Sequence, residues 1–205
     1  MKLRIQKFLL ATSLGASLLS GCAPLVVGSA VMTGMVAVDR RTSGTQLEDQ
    51  AIELKVIHAV GKELGERVHL NVTSYNRRVL LTGEARTEAD RSRAMQLAQS
   101  QENVREVIND LALVAPSSLS QRTRDTVTTG QVKAAFVDAK DLQASAVKVV
   151  TERGIVYLMG RVTAREAQRA TDIARSVSGV VKVVRVFEDI SEEDLKRLSQ
   201  PPLAR

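Results

Sequence analysis

The chain has 205 residues, 29 Lys and Arg against 23 Asp and Glu, a formal net charge of +6, and 44% hydrophobic residues. Its five aromatic residues (Phe8, Tyr75, Phe136, Tyr157, Phe187) and absence of Trp argue against the stacking platforms that hold single-stranded nucleic acid, so no nucleic-acid partner is expected. The lone cysteine, Cys22, has no intramolecular disulfide partner, and no HExxH string, phosphate-binding glycine loop or serine elbow is present, so no metal, cofactor or catalytic residue is expected.

The N-terminal region reads as a leader. Lys2, Arg4 and Lys7 precede an apolar stretch over residues 8–19 and the small pair Ser20 and Gly21, the charged, apolar and small-residue order of a secretory signal. That stretch is well short of the roughly 20 residues needed to span a bilayer core. The quartet Leu19-Ser20-Gly21-Cys22 resembles the bacterial lipobox, which predicts removal of residues 1–21 and lipid modification of Cys22. Each acyl methylene buried in a bilayer contributes about 0.8 kcal/mol, so two or three chains anchor almost permanently. Ala23 stands where lipoproteins retained in the inner membrane typically carry Asp, which favours an outer-membrane, lipid-anchored, periplasm-facing protein. Without Lys2, Arg4 and Lys7 the mature chain would carry 26 bases against 23 acids, or +3.

Residues 22–46 read as the lipidated N-terminus and a tether rich in Gly, Ala, Val, Ser and Thr. The remainder is duplicated. With a shift of 77, Val72, Val79, Leu81 and Gly83 fall on Val149, Val156, Leu158 and Gly160; with a shift of 76, Thr87, Arg93, Ala94, Ala98, Ser100 and Val107 fall on Thr163, Arg169, Ala170, Ala174, Ser176 and Val183. Each copy begins with an amphipathic helix whose inward stripe is Ile52, Val56 and Val60, or Thr128, Val132 and Phe136. A hairpin follows, over residues 70–74 and 79–83, then 147–151 and 155–160, with turns at Asn76 and at Arg153-Gly154. Next comes a second helix with Ala94, Leu97 and Ala98, or Ala170, Ile173, Ala174 and Val177, inward, and a third strand over 104–113 or 180–187. The domains so predicted are 47–114 and 123–189, separated by a linker over 115–122 and followed by a tail over 190–205 with a short helix capped by Ser191.

The lipobox, the duplication, and strings such as Val79-Leu80-Leu81-Thr82-Gly83, Val147-Lys148-Val149, Leu158-Met159-Gly160 and Val162-Thr163-Ala164-Arg165-Glu166-Ala167 together resemble the tandem BON-domain lipoproteins of the Gram-negative outer membrane. The resemblance implies an α+β fold of two tandem BON domains, each αββαβ with a three-stranded mixed sheet and two helices packed on one face. It also implies binding of anionic phospholipid, phosphatidylglycerol or cardiolipin, by the second domain, and roles in envelope integrity and at division sites.

Charge separates the copies. From Glu48 to Leu113 there are 9 bases and 11 acids, net −2; from Arg122 to Asp189 there are 12 bases and 8 acids, net +4. An anionic membrane would attract the second copy, at about 1 kcal/mol for each basic residue near its surface. On and beside that copy's first helix, Arg124, Lys133 and Lys140 supply cations, and Val127 and Val137 lie off the core stripe, which makes these five the candidate lipid-binding residues. Val127 stands where lipid-binding relatives carry Trp, so charge is expected to matter more here. His58 and His69 read as surface or satisfied residues, and the helix carboxylates as solvated faces. The alternative function is a non-enzymatic adaptor that contacts outer-membrane assembly or division proteins, or cell-wall enzymes.

Overall fold

The structure is a computed structural model, and it describes residues 39–198. Cys22, residues 1–21, most of the tether and the end of the C-terminal tail lie outside the described residues.

The first domain comprises α1 (Ser43–Leu64), β1 (Val68–Tyr75), β2 (Arg78–Ala85), α2 (Glu88–Gln99) and β3 (Glu106–Asn109). The second repeats the order with α3 (Leu119–Asp138), β4 (Lys148–Glu152), β5 (Ile155–Val162), α4 (Ala164–Ser176) and β6 (Lys182–Asp189), and α5 (Glu192–Leu198) follows. Each sheet is mixed: the hairpin is antiparallel, and the third strand lies parallel to the second. The helix stripes behave as expected. Ile52, Val56 and Val60 are buried with Ala94, Ala98, Val79 and Leu81 in one core, and Val132 and Phe136 with Ala170, Ala174, Val156 and Leu158 in the other.

Two helix starts differ from expectation. α1 begins at Ser43, inside the stretch read as tether, because the Thr42 hydroxyl accepts the Thr45 N–H at 3.1 Å. α3 begins at Leu119, inside the stretch read as linker, because Ser118 does the same for the Gln121 N–H at 3.2 Å. The third strand of the first domain is also shorter than read. Past Asn109 the backbone still pairs with β2 through the Asp110 and Ala112 N–H groups, which donate to the Leu81 and Gly83 carbonyls at 2.9 Å, while Leu111 is buried in the core and its N–H bonds the Asn109 side chain at 3.3 Å.

The hairpin turns reveal what holds each domain together. Asn76 and Arg77 have φ of 51° and 64°, and Arg153 and Gly154 have 55° and 74°, the two consecutive positive values of a type I′ turn. In the first domain, buried Asp49 of α1 accepts the Asn76 and Arg77 N–H groups at 2.8 and 2.7 Å and the Ser74 hydroxyl at 2.7 Å. In the second, Asp125 of α3 accepts the Arg153 and Gly154 N–H groups, both at 2.8 Å. Asp49 and Asp125 are related by the 76-residue shift. The sequence reading placed helix carboxylates on solvated faces; these two are buried because a turn's outward N–H groups give them charge-assisted partners.

Gly83 and Gly160 have a related structural purpose. A β-carbon on Gly83 would lie 2.1 Å from the carbonyl oxygen of His69, and on Gly160 2.3 Å from that of Ala146. Close backbone approach therefore accounts for both glycines.

The uncovered faces of the two sheets pack on each other through Tyr75, Leu80, Tyr157, Met159 and Val186. Polar bonds surround this patch: Asn71 Nδ2 donates to Glu152 at 2.6 Å, Asn76 Nδ2 to Glu188 at 2.6 Å, Arg78 Nη1 to the Phe187 carbonyl at 2.6 Å, and Lys148 Nζ to Glu53 at 3.0 Å. The Tyr157 hydroxyl donates to Asp110 at 2.7 Å; burial and that carboxylate push the phenol above its ordinary value, so it remains a donor. Arg40 completes the contact. Only 7% exposed, it bonds both Glu166 oxygens at 2.7 and 2.9 Å and the Arg161 carbonyl at 2.6 Å. Burial alone would raise the Glu166 carboxyl, but the bonds from Arg40 and from the Thr163 N–H outweigh it and hold the carboxyl below its ordinary value.

Asp125→Ala strands two turn N–H groups and is expected to lower stability by about 3 kcal/mol in chemical denaturation. Arg40→Ala leaves Glu166 buried without its main partner, at a cost of about 3 kcal/mol at neutral pH. Because the folded-state Glu166 value is depressed, the pair's contribution is full above the ordinary carboxylate range and is lost as pH falls through the depressed value. The difference in melting temperature between wild type and Arg40→Ala should therefore shrink on titration from pH 7 to pH 3.

Candidate membrane-contact site

The outer face of α3 is set by what its inner face buries. Asp125, Thr128, Val132 and Phe136 point inward. At about 100° per residue, Leu119, Thr123, Val127, Gly130, Ala134 and Val137 then point away from the core. Leu119 is 81%, Val127 54% and Val137 72% exposed, so the helix carries an unpartnered stripe of apolar and small side chains.

Cations border this stripe on both sides. Lys133 lies on one flank and Lys140 in the turn after the helix, and neither forms an ion pair among the described residues; Arg122 shares the Lys133 flank, with its Nε donating to Ser117 at 3.2 Å. Arg124 lies about 180° around the axis from Lys133, on the other flank, and its guanidinium donates to Gln121 at 2.8 Å. The structure thus places Arg124, Val127, Lys133 and Val137 on one helix, with Val127 and Val137 on its outer stripe and Arg124 and Lys133 on opposite edges, while Lys140 lies in the turn just beyond its end. A bilayer contact needs this arrangement: apolar groups enter the headgroup boundary while long cationic stems reach back to phosphates.

Sequence reasoning missed part of the surface. Beside Arg124 and Val127 a groove of about 520 Å3 runs between α3 and the loop before β6, and it is also lined by Arg153, Gly154, Gly179 and Val181. Val181 is 80% exposed. Arg153 and Val181 are remote from α3 in sequence, so no helical periodicity could group them with it. Leu119 escaped because it fell within the presumed linker, although it lies one i, i+8 step before Val127.

The counterpart helix differs in charge. α1 also exposes apolar residues, Leu47 at 67%, Leu54 at 69% and Ile57 at 47%. Its neighbouring cation Lys55 is paired with Glu102 at 3.5 Å, and Glu48, Glu53 and Glu63 accompany it. His58 is exposed on the outer face of α1, one helical turn from Leu54, and His69 Nδ1 is 2.8 Å from Glu84. No described helix is long and apolar enough to cross a membrane.

The αββαβ units and their duplication agree with comparison to known proteins. The BON domain matches twice, over residues 48–115 and 124–188, and the chain belongs to the BON-domain family. It is 42% identical over 183 residues to the outer membrane lipoprotein DolP of Haemophilus influenzae, covering 87% of this chain and 94% of that protein. It is 35% identical over 152 residues to the 21 kDa hemolysin of Actinobacillus pleuropneumoniae, covering 73% and 78% of the two chains. It is 29% identical over 191 residues to the osmotically inducible protein Y of Escherichia coli, covering 89% and 94%. Two BON domains and likeness over most of its length make this a DolP-like dual BON-domain lipoprotein.

Because Lys133 and Lys140 are exposed and lack ion-pair partners, the double variant Lys133→Glu, Lys140→Glu should fold normally. Its denaturation free energy is expected to stay within about 1 kcal/mol of wild type.

Proposed function

We propose that the protein is held on the periplasmic side of the outer membrane by acylated Cys22 and binds anionic phospholipid through the outer face of α3. Through that contact it supports envelope integrity and acts at division sites. The observation that carries this reading is the exposed stripe of Leu119, Val127 and Val137 between flanking cations. Attachment and recognition are divided: acyl chains give permanent residence, and the second domain then meets the surface at high local concentration. With Val at position 127, no aromatic ring anchors the contact at the interface, so cations supply most of the selectivity.

The test uses a leaderless Cys22→Ser chain, so that acyl chains play no part. It should sediment with phosphatidylglycerol or cardiolipin vesicles and scarcely with phosphatidylcholine vesicles, and its affinity should fall steeply between low and high salt as screening shortens the Debye length. Lys133→Glu, Lys140→Glu is expected to weaken the anionic-vesicle affinity at least roughly tenfold, and Val127→Trp to raise it severalfold. Equal binding to both lipid classes would overturn the reading.

Exposed Leu47 and Leu54 on α1 favour a second, adaptor reading in which that helix contacts outer-membrane assembly or division proteins. In-cell crosslinking of the Lys133→Glu, Lys140→Glu variant separates the two, because an adaptor keeps its partners while a lipid sensor loses its localisation.

A further inference from the structure

The first strand of each sheet is an edge strand: β1 pairs only with β2, and β4 only with β5. The two edges line a common cleft of about 560 Å3, with residues 70–73 on one side, 149–152 on the other, and Ile57, Arg122 and Thr126 above them. The hairpin turns fix which backbone groups enter it. Residues flanking a two-residue turn exchange ladder bonds, so Tyr75, Thr73, Asn71 and His69 bond to β2. Leu70 and Val72 therefore direct their N–H and C=O groups the other way. Ser74 confirms the parity, since its N–H turns outward to Glu53 at 2.7 Å and its carbonyl accepts Lys148 Nζ at 3.2 Å.

No hydrogen bond among the described residues reaches the outward groups of Leu70 or Val72. The facing edge is less open, because the Thr129 hydroxyl of α3 donates to that of Thr151 at 2.7 Å and draws the helix over β4. Alternating unpaired donors and acceptors along a strand match one kind of ligand in spacing, another extended chain.

We propose that this cleft is a peptide-binding site, in which an extended segment of a partner protein adds to the first sheet along Leu70 and Val72. Side chains on one side of such a segment meet half-exposed Ile57. Those on the other meet His69, Asn71 and Glu152, with Glu84 behind His69. Glu84 is 1% exposed and one of its carboxylate oxygens has no partner, while Glu152 is held by Asn71 alone. Two carboxylates beside a single histidine select a Lys or Arg on that side of the segment. The site uses none of Leu119, Val127, Lys133, Val137 or Lys140, so it stands or falls separately from lipid binding.

The test selects a phage-displayed library of random decapeptides against the mature lipoprotein in nanodiscs. Enriched peptides should carry alternating apolar residues and a Lys or Arg. A synthetic enriched peptide should slow amide exchange at Leu70 and Val72 at least tenfold. N-methylation of one alternate set of its amides should abolish binding, and methylation of the other set should leave it intact, because only one set faces β1. Val72→Pro, which removes a donor that the fold leaves unpaired, should lose the peptide. Failure to enrich any peptide, protection confined to other residues, or equal tolerance of both methylation patterns would overturn the proposal.

Discussion

In each domain one helix carboxylate grips one hairpin turn, and much of the remaining geometry depends on it. A type I′ turn holds two successive residues at positive φ, a conformation that costs of order 1 kcal/mol for a residue with a side chain. Asn76, Arg77 and Arg153 all adopt it. Asp49 and Asp125 offset that cost by accepting the turn's N–H groups. Because the turn sets strand register, the same bonds fix which strand residues face the helices. They also fix the rotation of the helix. With Asp125 turned inward, Val127 and Val137 must point outward, and the exposed apolar stripe of α3 is a consequence of the bond that stabilises the turn.

The contact between the sheets is the next constraint. Its apolar centre of Tyr75, Leu80, Tyr157, Met159 and Val186 is small, and charged and amide side chains surround it. Such a perimeter contributes less energy than specificity, since each buried polar group tolerates few arrangements of its partner. Arg40 extends this specificity to the segment just before α1, tying it to the start of α4 through Glu166. The outer face of α3 is thereby held at a set angle to the point where the chain enters the first domain.

The core was largely legible in the sequence because it obeys periodicity. Ile52, Val56 and Val60 fall at i, i+4 and i+8, and the hairpin strands read as short apolar, β-branched runs, of which β2 and β5 are buried along almost their whole length. What periodicity cannot supply is the identity of a partner distant in sequence. Asp49 bonds a turn 27 residues away, and on a helical wheel it is indistinguishable from a solvated acid. The sheet interface was hidden for a similar reason. Asn71, Arg78, Lys148 and Glu152 sit at the polar positions of alternating strands, a pattern that equally fits a face in water; only tertiary structure shows these faces meeting each other. The five candidate residues on and beside α3 could be grouped from charge and spacing, whereas Arg153 and Val181 required the fold to bring them alongside.

The duplication separates what the fold needs from what each copy is free to change. Asp49 and Asp125, Gly83 and Gly160, and the Thr87 and Thr163 caps recur because each meets a backbone demand common to both copies. The outer faces of the first helices meet no such demand, and there the copies diverge. On α1, Lys55 is paired with Glu102 and Lys62 shares the helix with Glu48, Glu53 and Glu63, while Lys133 on α3 and Lys140 just beyond it have no ion-pair partner among the described residues. The exposed 3.5 Å Lys55–Glu102 pair is weak, so the difference rests on the acids that surround the α1 cations more than on the pair itself. Divergence at a few exposed positions, with the carboxylate-gripped turn unchanged, is sufficient to give two otherwise similar domains first helices of different outward charge.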